Sequence, residues 1–249
     1  MRDILRDVDG VEVFVDDILI HSASMEHHLV LLEQVFAKPR AANMTIKPGK
    51  CEVAQRMVKF LGHIVGVGEC RCTEDKVEKI VNAPQPTTKK QVRSFLGMTE
   101  HYRVFIPNYA VIAVPLHELV KKCAPNKVVW GEQQQAAFKN LKSCLSRQPI
   151  LQLPDVSKEF VLRTDAFQDG LGAVFLQEHE GQMNLVMHHS RKLKTVEYNY
   201  STVEKECLAV VDGIKKFYIY LFGSQFTLET DHLPLANLRP SKTANARLT

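Results

Sequence analysis

Residues 160–177 read FVLRTDAFQDGLGAVFLQ, and residues 226–232 read FTLETDH. In both stretches an apolar, β-prone run ends in Thr-Asp: Thr164-Asp165 in the first, Thr230-Asp231 in the second. The pattern predicts strands over Phe160–Asp165, Gly172–Gln177 and Leu185–His189, and a last strand over Gln225–Asp231. Helical spacing fills the interval from Val203 to Leu221, with Thr202 placed to cap its start. The order β-β-β-α-β describes an α/β sheet domain. If the strands ending in Asp165 and Asp231 lie side by side and parallel, their carboxylates meet at one sheet edge, where open α/β sheets carry their sites. Glu206 lies in the first turns of the intervening helix, and a crossover of the usual hand brings those turns over the same edge. Three carboxylates on separate elements, converging on one point, fit a two-metal phosphoryl-transfer site.

Upstream of this domain the texture is helical. Thr73 with Glu74 and Asp75 opens a helix that Val77 and Ile80 continue. The run APQPTT (83–88) is a stiff break, followed by predicted helices over Lys89–Phe105, Val111–Lys122 and Glu132–Leu145. Tyr102 and Phe105 fall on the core side of that pattern, and Trp130 is placed to anchor the Glu132 helix against the sheet. The net charge of +4 sits here: residues 73–150 carry 12 basic and 6 acidic side chains, against 9 and 10 before them and 11 and 12 after. A basic segment between near-neutral ones suits a polyanion-facing surface, and equally a solvated Lys-rich helical face. Lys89, Lys90 and Arg93 open a helix, which suits contact with phosphates.

At the N-terminal end, VEVFVDDILI (11–20) reads as a tight β-hairpin with Asp16 and Asp17 at its tip. Two carboxylates so close repel unless a cation neutralises them, and hard oxygen ligands suit Mg²⁺. A helix from Met25 to about Lys38 follows, which Pro39 should end or kink, and then strand pieces around Thr45–Ile46 and Val58–Val65.

Composition narrows the class. The 249 residues hold no apolar run long enough to span a membrane, and the opening MRDILRDVDG is charged throughout, unlike a secretory signal. With 12 Gly and 11 Pro, collagen-like and disordered chains are excluded. The six cysteines are scattered without zinc-site spacing, which suits a reduced, intracellular setting.

FVDD within VEVFVDDILIHS resembles the [YF]-x-D-D motif of reverse transcriptases, with Phe14 in the aromatic position. KFLGHIV (59–65), SFLGMTEHYRVFIPNY (94–109) and PLHELVKK (115–122) resemble the palm edge and thumb of gypsy-type LTR-retroelement polymerases. FVLRTDAFQDGLGAVFLQ, HSRKL, NYSTVEKECLAVV, YLFG and FTLETDHLPL resemble the ribonuclease H-like domain that follows in those polyproteins. The resemblance covers almost the whole chain, in matching order and spacing. It implies an α/β chain of three modules: a palm remnant over 1–72, a helical thumb-like connector over 73–127, and a ribonuclease H-like mixed sheet with flanking helices over 128–249. It implies that Asp16 is the metal-binding aspartate of the polymerase hairpin, with Asp17 its neighbour. Asp165, Glu206 and Asp231 match three acidic residues of the ribonuclease H site; Glu206 fits better than Glu204 because C-L-A-V follows it. The activities implied are copying RNA into DNA and cutting the RNA strand of RNA–DNA hybrids, with Mg²⁺ or Mn²⁺ as cofactor, nucleic acid as partner and no membrane.

In that family the fingers, most of the palm and the other polymerase aspartate precede the hairpin. A further strand, a helix and a fourth acidic residue follow the point where this sequence stops. The expectation is therefore a fragment that retains hybrid cleavage and lacks polymerase activity. Pro39 inside a helix, Asp212-Gly213 where the family is apolar, and His188-His189 where it is small read as sequence drift. The competing reading is a catalytically inactive nucleic-acid-binding or structural remnant.

Overall fold

In a computed structural model of the chain, residues 2–231 are described. The chain divides into two compact units, Met1–Val67 and Gly68–Thr249.

The first unit contains α1 (Arg2–Leu5), β1 (Val11–Phe14), β2 (Asp17–Ile20), α2 (Met25–Ala41), β3 (Val58–Phe60) and β4 (His63–Gly66). β1 and β2 form the predicted hairpin, with Phe14 opposite Asp17 and Val15-Asp16 as the turn. Leu5, Val8, Leu31 and Val35 are buried, and Val11, Val13, Ile18 and Ile20 pack on them. Gly10 is obligatory where the hairpin begins. Its φ is +79°, and a Cβ there would stand 2.8 Å from the His21 carbonyl oxygen.

Pro39 does not end α2. It sits in the last turn, where it removes only the bond to the Val35 carbonyl, and the Ala42 and Met44 amides close the helix on the Pro39 carbonyl. Thr45–Ile46 forms no strand. The strand pieces expected around Val58–Val65 pair as a hairpin that bends at Gly62: Leu61 and Gly62 both take positive φ, the geometry of a two-residue β-turn.

The second unit begins with β5 (Glu69–Cys72), followed by α3 (Glu74–Val81), α4 (Lys89–His101), α5 (Tyr109–Ile112), α6 (Val114–Leu119), α7 (Glu132–Ser146) and β6 (Ile150–Gln152), which pairs antiparallel with β5. Val92, Phe95, Leu96 and Thr99 line the buried face of α4, whose start is closed by a Thr88–Gln91 capping box. Tyr102 and Phe105 are buried as expected, but α4 stops at His101 and Phe105 rides on a short 3-10 turn. The helix predicted over Val111–Lys122 is two short ones, with Pro115 placed at the start of α6, where a missing N–H is harmless. Trp130 donates to the Pro86 carbonyl at 2.6 Å and meets Phe138 edge-on, so it ties α7 to the proline-rich break instead of to the sheet.

The rest is β7 (Phe160–Ala166), β8 (Gly170–His179), β9 (Gln182–Lys192), α8 (Thr202–Lys216), α9 (Tyr218–Leu221) and β10 (Phe226–Thr230). The sheet order is β10-β7-β8-β9, with β10 parallel to β7 and the other pairs antiparallel. Phe175 stacks between Phe160 (4.7 Å) and Phe217 (4.4 Å) in the core beneath α8. The single helix predicted to Leu221 breaks at Phe217, and its cap is Ser201, not Thr202.

Candidate metal centre

The parallel register sets Thr230 opposite Thr164, so Asp231, one step past the end of β10, comes beside Asp165 of β7. α8 supplies the third carboxylate. Ser201 accepts from the Glu204 amide, and Glu204 Oε2 accepts in return from the Ser201 amide (2.9 Å) and hydroxyl (3.0 Å). This capping box holds Glu204 at the helix start, and Glu206, two residues on, points about 200° away from it. Gly213 sets how closely α8 lies on β7: a Cβ there would stand 3.3 Å from Thr164 Cγ2 and 3.4 Å from Ala173 Cβ and Leu162 Cδ1.

The outcome is a convergent site. Ligand oxygens of Asp165, Glu206 and Asp231 all lie within 4.8 Å of one another. Glu206 is 5% exposed, Asp165 is half-buried and Asp231 is exposed. Burial, and next the charge of Asp231, raise the Asp165 carboxyl above the ordinary aspartate value. Among the described residues this is the only group of three His, Cys, Asp or Glu side chains so placed. A donor set of three carboxylates with one buried suits a small hard cation such as Mg²⁺ or Mn²⁺.

The other candidates are not assembled in this way. Asp16 and Asp17 are both exposed on the hairpin, and among the described residues no third ligand side chain joins them. Of Lys89, Lys90 and Arg93, two are engaged within the protein. Lys89 Nζ donates to the Lys121 carbonyl at 2.8 Å, and Arg93 Nη2 to the Val120 carbonyl at 3.3 Å. These two cations cap the C-terminal end of α6, where the helix dipole favours them; Lys90, like Arg93, is exposed. All six cysteines are free.

The apparent drift beside the site is a linked set. His188 and His189 lie inside β9, not at a strand end. His189 Nε2 is 2.9 Å from Asp212 Oδ2, Arg191 Nε donates to Asp212 Oδ1 at 2.6 Å, and Arg191 Nη1 donates to Glu197 at 2.7 Å. Burial works to raise Asp212, but hydrogen bonds from His189 and Arg191 outweigh it and hold the carboxyl low. Asp212 thus has two partners, and Gly213 is the close-approach point of its helix. Nothing in the sequence marked this network except the opposite charges of Arg191, Glu197 and Asp212 within a short span.

A mixed sheet with one parallel pair, carrying carboxylates from β7, α8 and the end of β10, defines a ribonuclease H-like fold. Residues 130–228 match the family described as the RNase H-like domain found in reverse transcriptase, and residues 1–65 match reverse transcriptase (RNA-dependent DNA polymerase). The chain is 43% identical over 236 residues to the retrovirus-related Pol polyprotein from transposon 297 of Drosophila melanogaster, covering 95% of this chain and 22% of that protein. It is 37% identical over 226 residues to the transposon Tf2-3 polyprotein of Schizosaccharomyces pombe, covering 89% of this chain and 17% of that one. The chain belongs to the reverse transcriptase and ribonuclease H-like segment of retroelement Pol polyproteins, and spans about a fifth of those relatives. The fold matches a foamy viral protease-reverse transcriptase dRH solved with double-stranded DNA (TM-score 0.82, 22% identity, 99% of this chain and 44% of that one). It also matches the foamy viral protease-reverse transcriptase solved with an RNA/DNA hybrid (TM-score 0.79, 22% identity, 97% and 34%). Among the described residues no helix is long and apolar enough to cross a membrane.

Proposed function

We propose that this segment cleaves the RNA strand of RNA–DNA hybrids at the edge formed by β7, β10 and α8, and that it derives from a gypsy-type element. The observation that carries the reading is the convergence of Asp165, Glu206 and Asp231 within 4.8 Å, with Glu206 buried. Three like charges held together disfavour one another unless a cation is shared, so the site is organised for a ligand it binds. The three carboxylates would hold Mg²⁺ or Mn²⁺, and the chemistry such a cation would supply is Lewis acidity at the phosphate and a more acidic water. The fold neighbours of this chain include one solved with an RNA/DNA hybrid and one with double-stranded DNA, which supports nucleic acid as the partner.

Lys90 is the proposed phosphate contact on the helical segment, while Lys89 and Arg93 donate to the carbonyls at the end of α6. Asp16 and Asp17 are read as the polymerase hairpin of the family, and no polymerase step is assigned to these 249 residues, because the pair has no third ligand among the described residues. The test is hydrolysis of a labelled RNA–DNA hybrid by the chain with Mg²⁺, Mn²⁺ or chelator. Metal-dependent cleavage lost in Asp165→Asn and kept in Glu204→Gln supports the reading. A folded, metal-binding protein that leaves the hybrid intact points to the inactive nucleic-acid-binding remnant.

A further inference from the structure

The sheet register extends the carboxylate site sideways. Asp165 pairs with Gly172 of β8, and Gly172 pairs with Ser190 of β9, so these three positions form one row on one face of the sheet. The start of α5 lies on that row. The Ala110 amide donates to Ser190 Oγ at 2.9 Å, and Val111 Cγ2 would stand 2.7 Å from a Cβ on Gly170. Between them, Asn108 Oδ1 would stand 2.7 Å from a Cβ on Gly172. Directly opposed residues on adjacent antiparallel strands have Cβ positions roughly 5 Å apart, which puts the Asn108 carboxamide within about 8 Å of the Asp165 Cβ. Asn108 is half-buried in left-handed conformation (φ 51°), and among the described residues its carboxamide has no hydrogen-bond partner.

We infer that Asn108, carried by the helical segment and not by the sheet, is a substrate-contacting residue that reads the RNA strand beside the cleavage site through a ribose 2′-hydroxyl. This rests on the hybrid-cleavage reading above. The chemistry fits. A carboxamide offers a donor and an acceptor together, and the 2′-hydroxyl both donates and accepts. That hydroxyl is the group that separates RNA from DNA in the wide, shallow minor groove of an A-like duplex. Gly172 leaves the space that the carboxamide occupies, and the Ser190 bond to the neighbouring Ala110 amide fixes the loop that presents it.

The test is equilibrium binding of the full chain, in chelator, to an RNA–DNA hybrid and to a DNA duplex of the same sequence, with metal-dependent hybrid cleavage measured in parallel. Asn108→Gly keeps the left-handed backbone without strain and removes the carboxamide. It is expected to lower hybrid affinity about three- to ten-fold, the worth of one hydrogen bond, and to leave duplex affinity unchanged. Gly172→Ala, whose new Cβ must displace the carboxamide, is expected to reproduce the loss. Should either variant unfold, Asn108→Asp keeps the shape but lacks the donor, and the preference for hybrid over duplex is expected to fall. An equal loss on both duplexes, or none on either, overturns the inference. If the wild-type chain cleaves hybrid and prefers it, yet Asn108→Gly keeps that preference, this inference alone fails. If the wild-type chain neither cleaves nor prefers hybrid, the hybrid-cleavage reading fails first and this inference with it.

Discussion

The Asp16-Asp17 pair and the Asp165–Glu206–Asp231 group are both acidic clusters that the sequence offers as metal sites, and the fold treats them oppositely. The first pair is adjacent in sequence and stands at a hairpin tip, Asp16 in the turn and Asp17 at the start of β2, with Phe14 56% and Val15 73% exposed. Water screens those charges, and neither carboxylate needs a cation to be tolerated there. The second group is distant in sequence and is brought together by a parallel strand pair and a capped helix, with Glu206 almost fully buried. Adjacency along the chain gives two like charges a common address. Convergence with burial gives them an energetic reason to hold a ligand, because desolvated like charges are costly in its absence.

The largest expected effect separates the two clusters outright. Asp165→Asn should reduce metal-dependent hybrid cleavage to background, whereas Asp16→Asn should leave it at wild-type level. Primer extension on an RNA template by the 249-residue chain should give no product with either sequence. Cleavage that needs Asp16, or that survives Asp165→Asn, would collapse the distinction. Next in size is metal-linked stability. At a hundred-fold excess over its dissociation constant a cation adds about 2.7 kcal/mol to the folded state. A thermal melt should therefore shift upward with Mn²⁺ or Mg²⁺ in wild-type and Asp16→Asn proteins, and should not shift in Asp165→Asn.

A smaller effect compares two ion pairs, one between α8 and the sheet and one within the sheet. Arg191–Asp212 is mostly buried, with side-chain exposures of 24% and 20%, while Arg163–Glu229 is exposed at 58% and 42%. Asp212→Ala leaves Arg191 with Glu197 as its one remaining carboxylate and strips His189 of its own, and should destabilise by about 2–3 kcal/mol. Glu229→Ala should change stability by less than about 1 kcal/mol, the usual worth of an exposed pair. Chemical denaturation of the two variants measures both. Equal losses would mean that the Asp212 network adds nothing beyond a surface pair.

How much of this was legible depends on the range of the interaction that decides each feature. The strands ending in Thr164-Asp165 and Thr230-Asp231 were readable because each repeats a period-two apolar pattern, and their shared ending already suggested that the carboxylates align. The FVDD turn was readable for the same local reason. Helix ends were less so: Ser201 and Thr202 are both good caps, and only the bond to the Glu204 amide chooses between them. Pro39 looked like a stop because propensity sees the residue and not its position in the last turn. Asp212, Gly213 and His189 read as drift because each is unfavourable alone, and nothing local shows what they meet. The helix residues meet strands and His189 meets the helix, and no local pattern reports a helix–sheet distance or a cross-element ion pair.

The subtlest expectation uses acid to set the two kinds of aspartate against each other. Asp165 has its carboxyl raised, first by burial and then by the charge of Asp231. Between the ordinary aspartate value and that raised value the folded chain keeps a proton that the unfolded chain has lost. Stability therefore falls as pH rises through this window and stays reduced above it. Asp212 has its carboxyl lowered: burial opposes the shift, but the His189 and Arg191 hydrogen bonds prevail. There the unfolded chain holds the extra proton, so the stabilisation is present above the ordinary aspartate value and is lost as pH falls through the lowered one. His188, pulled by burial from 6.5 to about 4, adds a loss of the same direction as pH drops between those values. In the absence of metal, Asp165→Asn should thus gain over wild type as pH rises above the ordinary aspartate value. Asp212→Asn should be weakest relative to wild type near neutrality and converge with it in acid. Denaturation midpoints of the three proteins across that range, in chelator, check both slopes. Two variants whose differences from wild type run in the same direction with pH would show that the carboxylate edge is no more strained than the ion-paired one.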